Sequence, residues 1–513
     1  MNLRKNIVSV SLCWTTLIVN GADWPQLFGN NERNVVSPET GLPAEFLPGT
    51  MHLDSTNTPK ITNLKWRVKL FTHAYGGPVV ADGRVFIGLN DGNKSGLVMA
   101  LDEATGRALW QFDIPKFITK LTNYNYDILD LGVCSTPTID GDRLYFVSNR
   151  DELYCLDAAG KPQPTNVGLT NITWTTEGSA QAPPRFLTDA GGFHWVVPML
   201  AEKYVEAWVQ DASSGSPLID GDYLYIGPCN GVDKSHRRVP HPHTPTLIML
   251  DKRTGKLIAR DLEETGTRLW HGEWSSPTIG VVNGKKLLFR GAGDGVCYAF
   301  DPTPVACPTN HDFRVLKTVW TFNINVAGGR TGPYWKNPAG RIGPSECIAT
   351  PVFYSNRVYI AVGQDPLHKE GRGVLACIDA TKTGDITQTG VVWVNTNVDR
   401  SLTTVVIKDG LLFTADFTGR VHCLDADTGK TIWLYDTHRP IWSSPLIADG
   451  KVYLGTDAGD LYVFAASKEM KILGKTKLES PISASPIAHN GVLYVMSQKY
   501  LYAVALGADT KPE

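Results

Sequence analysis

One unit of sequence recurs along this chain, and that recurrence constrains its fold more than any other feature. A short apolar strand carrying Pro or Ser-Pro leads through an Asp-Gly type of turn into an aromatic-rich strand, then into a Leu-Asp…Thr-Gly…Trp ending. The clearest endings are ALDEATGRALW, from Ala100 to Trp110, and CLDADTGKTIW, from Cys423 to Trp433. Self-similarity of strand-only units at roughly 40 to 80 residues denotes one β unit stacked radially or in a line. The 513 residues therefore need not divide into separate globules, because stacked units share one continuous core.

The first strand and its turn occur eight times, beginning at Gly76, Ser135, Gly215, Ser275, Ala349, Thr403, Ser443 and Ala484. Gly, Asn and Asp in each turn supply the positive backbone angles of a tight hairpin. Eight copies predict eight four-stranded blades, within the range of β-propellers. The last copy ends at LYAVAL with no fourth strand, whereas LKWRVKL around Trp66 precedes the first copy as an unassigned strand. The predicted fold is all-β: an eight-bladed propeller closed by an N-terminal strand in the last blade, which removes the open sheet edge. Trp66, Trp110, Trp174, Trp320, Trp393 and Trp433 fall at fourth-strand places and are expected to pack against neighbouring blades. Ala259, or a near neighbour, replaces Trp in the third blade, and the seventh (MKILGKTKL) also lacks it.

Residues 1–21 have the pattern of a signal peptide, with Arg4 and Lys5 ahead of a short apolar run. That run is too short for a transmembrane helix, so a periplasmic or secreted protein with no transmembrane segment is expected. The remaining boundaries are an N-terminal extension over 22–60, the propeller over 61–507 and a tail over 508–513. A formal charge of −2 argues against nucleic-acid binding. Cys155, Cys377 and Cys423 stand where another copy has Ala100 and read as small core residues. Cys297 and Cys307 flank a loop and are the best disulfide candidates.

These repeats resemble the PQQ-like, or quinoprotein-type, propeller family. Its Ala-x-Asp-x-x-x-Gly-x-x-x-Trp signature is matched at Ala100, Asp102, Gly106 and Trp110, and again, with Cys for Ala, at Cys423, Asp425, Gly429 and Trp433. Met249, Asp251 and Gly255 match it in part, and the leader DWPQLFGN…SPETGLP (Asp23 to Pro43) resembles that of large exported PQQ-like proteins. The resemblance covers roughly residues 61 to 507 and implies two functional branches. One contains dehydrogenases that hold pyrroloquinoline quinone with calcium. The other resembles the propeller of the outer-membrane barrel-assembly machinery, which binds protein partners. The repeat is common to both, so fold alone does not choose.

Residues just before each first strand are expected to ring the mouth of the central channel. His73, Tyr75, Glu273, Trp274, Glu346, Arg400 and Trp442 form the candidate cofactor-binding ring, with Cys134, Asp211 and His271 beside them. Carboxylates, an Arg and aromatic rings suit a planar anion or a calcium ion, which takes oxygen ligands. No dedicated metal site is assigned, because His241 and His243 in the basic loop Asp233 to Pro245 have no third ligand at fixed spacing. No adjacent Cys-Cys pair, haem motif or hydrolase motif occurs. The long loops fall mainly on the mouth face, including PMLAEKYVEAWVQ, which is expected to form a helix starting at Pro198 with an apolar stripe of Leu200, Tyr204 and Trp208. The expected role is a monomeric binding or scaffolding module taking a protein or small ligand on that face. The alternative is a quinone-dependent alcohol or sugar oxidoreductase.

Overall fold

The computed structural model describes residues 23–53, 59–118, 123–124, 126–161, 175–176, 179–180, 184–187, 192–309, 311–329, 335–336, 342–364 and 373–509. The segment 1–21 and Trp174 lie outside the described residues. Within them the regular secondary structure is almost entirely strand, with one turn of α-helix at Ile324–Ala327 and one 3₁₀ turn at Thr265–Arg268. No helix among the described residues is long and apolar enough to cross a membrane.

Eight antiparallel blades follow the predicted count. The first consists of Val79–Ala81, Arg84–Asn90, Gly96–Asp102 and Ala108–Ile114, from the innermost strand outward. The eighth takes three strands from the C-terminal end, Ile487–His489, Val492–Met496 and Tyr500–Val504, and its outer strand, Leu64–Lys69, from the N-terminal end. Trp66 faces Ala503 and Lys69 faces Tyr500 across that seam. In the second blade the outer strand is Phe193–Pro198, so Trp195, not Trp174, occupies the Trp place, opposite Cys155. A long insertion between the third and fourth strands hid this pairing from the periodicity.

A shared irregularity explains how blades adhere. In every blade the pairing of the two outer strands slips by one residue beside the Trp place, as between Ala100 and Leu101 opposite Trp110. Such a bulge bends the strand and re-aims a side chain. Each indole then reaches the next blade, where its Nε1 donates at 3.0–3.2 Å to a turn carbonyl: Trp66 to Glu103, Trp110 to Ala158, Trp195 to Lys252, Trp320 to Ala380, Trp393 to Ala426 and Trp433 to Ser467. The receiving turn is built for this contact. Asp102 accepts the Thr105 N–H and hydroxyl, and Gly106 turns the chain at φ +76°. A Cβ on Gly106 would lie 2.8 Å from the Trp66 ring, and one on Gly429 2.5 Å from Trp393. Glycine thus serves both the left-handed backbone and the close approach of the ring.

Where Trp is missing, other chain fills the place. Gly474 of the seventh blade is covered by Ala44 and Glu45 of the N-terminal extension. Beside Ala259 of the third blade, an added strand, Arg314–Val315, pairs in parallel. Cys155, Cys377 and Cys423 are fully buried in the core. Cys297 and Cys307 are both free thiols, which corrects the expected bridge. Cys297 lies inside its blade opposite Phe322, while Cys307 lies on the outer insertion beside Thr309.

The extension from Trp24 to Ser37 crosses the channel and touches the same position of all eight innermost strands. Trp24 exchanges backbone hydrogen bonds with Val80, and Ile139, Ile279, Phe353 and Ile447 donate N–H groups to the carbonyls of Pro25, Asn31, Glu32 and Val35. Asn31 donates to Ile219 O, Asn34 pairs both ways with Ile407, and the Ser37 hydroxyl donates to Ala488 O. These contacts satisfy inner-edge backbone groups that would otherwise need water. Arg33, fully buried with no carboxylate partner among the described residues, is held by the carbonyls of Leu27, Pro217 and Pro277 and by Gln26 Oε1. Burial lowers its pKa to about 9.

Replacing Trp110 by Ala is expected to cost about 3–5 kcal/mol in urea unfolding, and replacing it by Phe clearly less, because Phe keeps part of the packing while losing the rest of the indole and its hydrogen bond. Equal losses for the two variants would contradict the docking role.

Candidate functional site: the central cup

Two residues ahead of each innermost strand, at the axis, stands Gly77, Thr136, Ser216, Ser276, Thr350, Thr404, Ser444 or Ser485, and in all but Thr404 the next residue is Pro. Proline holds the preceding residue extended, which presents its hydroxyl to the neighbouring blade. The N–H of each then donates to the hydroxyl of the next: Gly77 to Thr136, Thr136 to Ser216, Ser216 to Ser276, Ser276 to Thr350, Thr350 to Thr404, Thr404 to Ser444 and Ser444 to Ser485, at 2.8–3.3 Å. The relay stops at Gly77, which has no hydroxyl to accept from Ser485.

These hydroxyls wall a cavity of about 360 Å³. Trp24, Leu27 and Phe28 of the extension close it on one side, making the channel a cup. Tyr75, Trp274, Trp442, Leu131 and Leu402 also line it. Asp211 is the only carboxylate on its wall, and no Lys, Arg or His side chain joins it among the described residues.

The structure thus brings Tyr75, Trp274 and Trp442 together on the cup, with Cys134 and Asp211, and sets the other four ring candidates outside its lining. His73 stacks on Tyr75 at 6.1 Å, and Tyr75 meets Trp442 at 6.2 Å. Burial raises the Tyr75 hydroxyl pKa to about 12. The Arg400 guanidinium lies 4.6 Å over Phe417, which meets Trp442 edge-on. Glu273 is completely buried, accepting from the Thr246 hydroxyl and the Gly293 N–H. Burial raises it to about 7, against the pull of buried Arg290. Glu346 is buried, and its backbone pairs with Gly363. Pro198 ends a strand and starts no helix: residues 199–205 form successive turns, because Pro198 O accepts from Ala201 and Glu202 without further propagation. Leu200 and Trp208 pack on the core of blades two and three, and Tyr204 on Phe313. The hydroxyl wall was legible in the repeated Ser/Thr-Pro; the floor had no periodic signal.

A second polar cluster lies beside the mouth, in the turn between the middle strands of blade two. Asp151 is buried, accepts the Ser213 hydroxyl at 2.8 Å and donates its N–H to the Tyr126 hydroxyl. Neighbouring Glu152 accepts from Tyr154 at 2.6 Å and from the Ser148 hydroxyl. Burial raises Asp151 to about 8 and Glu152 to about 7.

With fold and cavity in place, the class is an eight-bladed propeller with a closed-floor, hydroxyl-walled central cup. The findings support a PQQ-like propeller family: the family described as outer membrane protein assembly factor BamB matches over residues 94–163, 345–433 and 371–472. A lanthanide-dependent methanol dehydrogenase of Methylacidiphilum fumariolicum (strain SolV) is 36% identical over 77 residues, spanning 15% of this chain and only 12% of that relative. Among solved structures, BamB from Moraxella catarrhalis superposes with a TM-score of 0.52 at 14% identity, covering 86% of this chain and 100% of that one. A europium-containing methanol dehydrogenase gives 0.57 at 14% identity, covering 94% and 98%. At such identity the structural likeness establishes the fold.

An acid whose folded pKa is raised contributes stability below its unfolded pKa and loses it as pH rises through the folded value. For Asp151 that window runs from about 4 to about 8. Asp151→Asn keeps an acceptor for Ser213 and suits the φ of +55°. It should raise the thermal midpoint at pH 8 by a few degrees and leave it unchanged near pH 4. A gain of equal size at both pH values would contradict the burial of an ionisable group.

Proposed function

We propose that this protein is an exported binding or scaffolding module that takes its ligand or partner through the cup and the loop-rich face around it. One observation carries the reading: the charged residues suited to a quinone cofactor are engaged outside the cup. Glu273 is held by Thr246 and Gly293, Arg400 lies over Phe417, and the wall supplies apolar and hydroxyl groups. Pyrroloquinoline quinone carries three carboxylates, and burying them beside Asp211 with no facing cation is strongly unfavourable. The residues present do not fit that group. The signal-peptide pattern of residues 1–21 supports export. Likeness to BamB supports protein partners as one use of the open face.

Titrating the purified protein with pyrroloquinoline quinone and calcium is expected to give no stoichiometric absorbance change and no dye reduction with alcohols or sugars. A saturable one-to-one spectrum, abolished by Glu273→Ala or Glu346→Ala, would overturn the proposal in favour of the oxidoreductase.

A further inference from the structure

The hydroxyls of the cup are only half used. Each of the seven oxygens accepts a backbone N–H from the blade before it, yet no acceptor within the protein engages any of their O–H protons among the described residues. Six of these side chains, from Thr136 through Ser444, belong to residues at most 6% exposed, so they face the cavity and little else. A hydroxyl whose oxygen is committed to an N–H is free to act as a donor. The wall is therefore a girdle of O–H donors set around the axis, above an apolar floor of Trp24, Leu27 and Phe28 and below the rings of Tyr75, Trp274 and Trp442.

Such a site is selective by what it penalises. A ligand that displaces water from the girdle must return acceptors to those protons, or each one lost leaves a buried donor unmet. The floor and rim reward flat apolar area. The lining offers no cation to an anion, and burial keeps the Tyr75 hydroxyl and the Cys134 thiol in their neutral forms.

Building on the binding-module reading, we propose that the cup binds an uncharged, planar ring compound bearing several oxygen acceptors, such as carbonyl, lactone or ether oxygens. The ring lies between floor and rim, and its oxygens accept from the Ser and Thr girdle. The 360 Å³ of the cup matches a small ligand and lies at the low end of small-molecule sites.

The test uses isothermal titration of the full exported chain with three probes of similar size. These are 7-methoxycoumarin, which is neutral and accepts only; indole, which donates and has no oxygen; and coumarin-3-carboxylate, which is anionic. The coumarin ether is expected to bind one to one, at least about tenfold tighter than either of the others. Ser276→Ala and Ser444→Ala should each weaken it about five- to tenfold while leaving indole unchanged. Because either change also removes an inter-blade acceptor, Gly77→Ser serves as a second variant. A Cβ there meets only Thr136 Oγ1, at 3.6 Å, and the new hydroxyl completes the girdle. It should hold or improve the affinity for 7-methoxycoumarin. Equal affinity for indole, tighter binding of the carboxylate, or no binding of the coumarin ether to a folded protein would overturn the inference. None of these results would restore the quinone, whose own titration decides the broader reading separately.

Discussion

The pairing of Leu64–Lys69 with Tyr500–Val504 is the contact on which the rest of the molecule depends. It joins the two ends of the repeat array within one blade, so the last blade has four strands and the ring closes. Only in a closed ring do side chains distant in sequence converge on an axis. Every property of the cup, from its hydroxyl girdle to its aromatic rim, follows from that closure.

Two systems of inter-blade bonds hold the ring, one at each radius. At the periphery, an indole from each of six blades docks into the turn of the next, aimed by a bulge and admitted by a small turn residue. At the axis, backbone N–H groups donate to hydroxyls around seven of the eight junctions. The outer system supplies apolar burial and the inner one satisfies polar groups, so neither duplicates the other. The N-terminal extension adds a third system. It touches all eight innermost strands, and it converts a channel open at both ends into a cup.

The same closure separates charge from the cavity. Glu273 sits at the start of a blade, where its position in sequence suggests the channel mouth, yet it is drawn into the blade interior by Thr246, Gly293 and the field of buried Arg290. Asp151 and Glu152 are likewise buried among hydroxyls beside the mouth. What remains on the wall is apolar or uncharged apart from Asp211. The likeness to both BamB and methanol dehydrogenases therefore leaves function to these side chains and not to the fold.

Blade number, strand order and ring closure were all legible in the sequence, because each repeat carries its own turn glycines, alternating core residues and docking Trp. The exception shows the limit: Trp174 stood at a plausible spacing, but an insertion placed Trp195 opposite Cys155, and pairing of strands across a long loop is decided by registry in space. Repetition also fixed which residues approach the axis, so Tyr75, Trp274 and Trp442 could be named from spacing alone. Which of their neighbours turn into the cavity is not periodic. Glu273, Glu346 and Arg400 occupy equivalent places but take different partners, each set by the particular blades beside it. The role of Trp24 to Ser37 was decided only by tertiary structure, since an irregular segment has no period and its hydrogen bonds are to strands up to several hundred residues away.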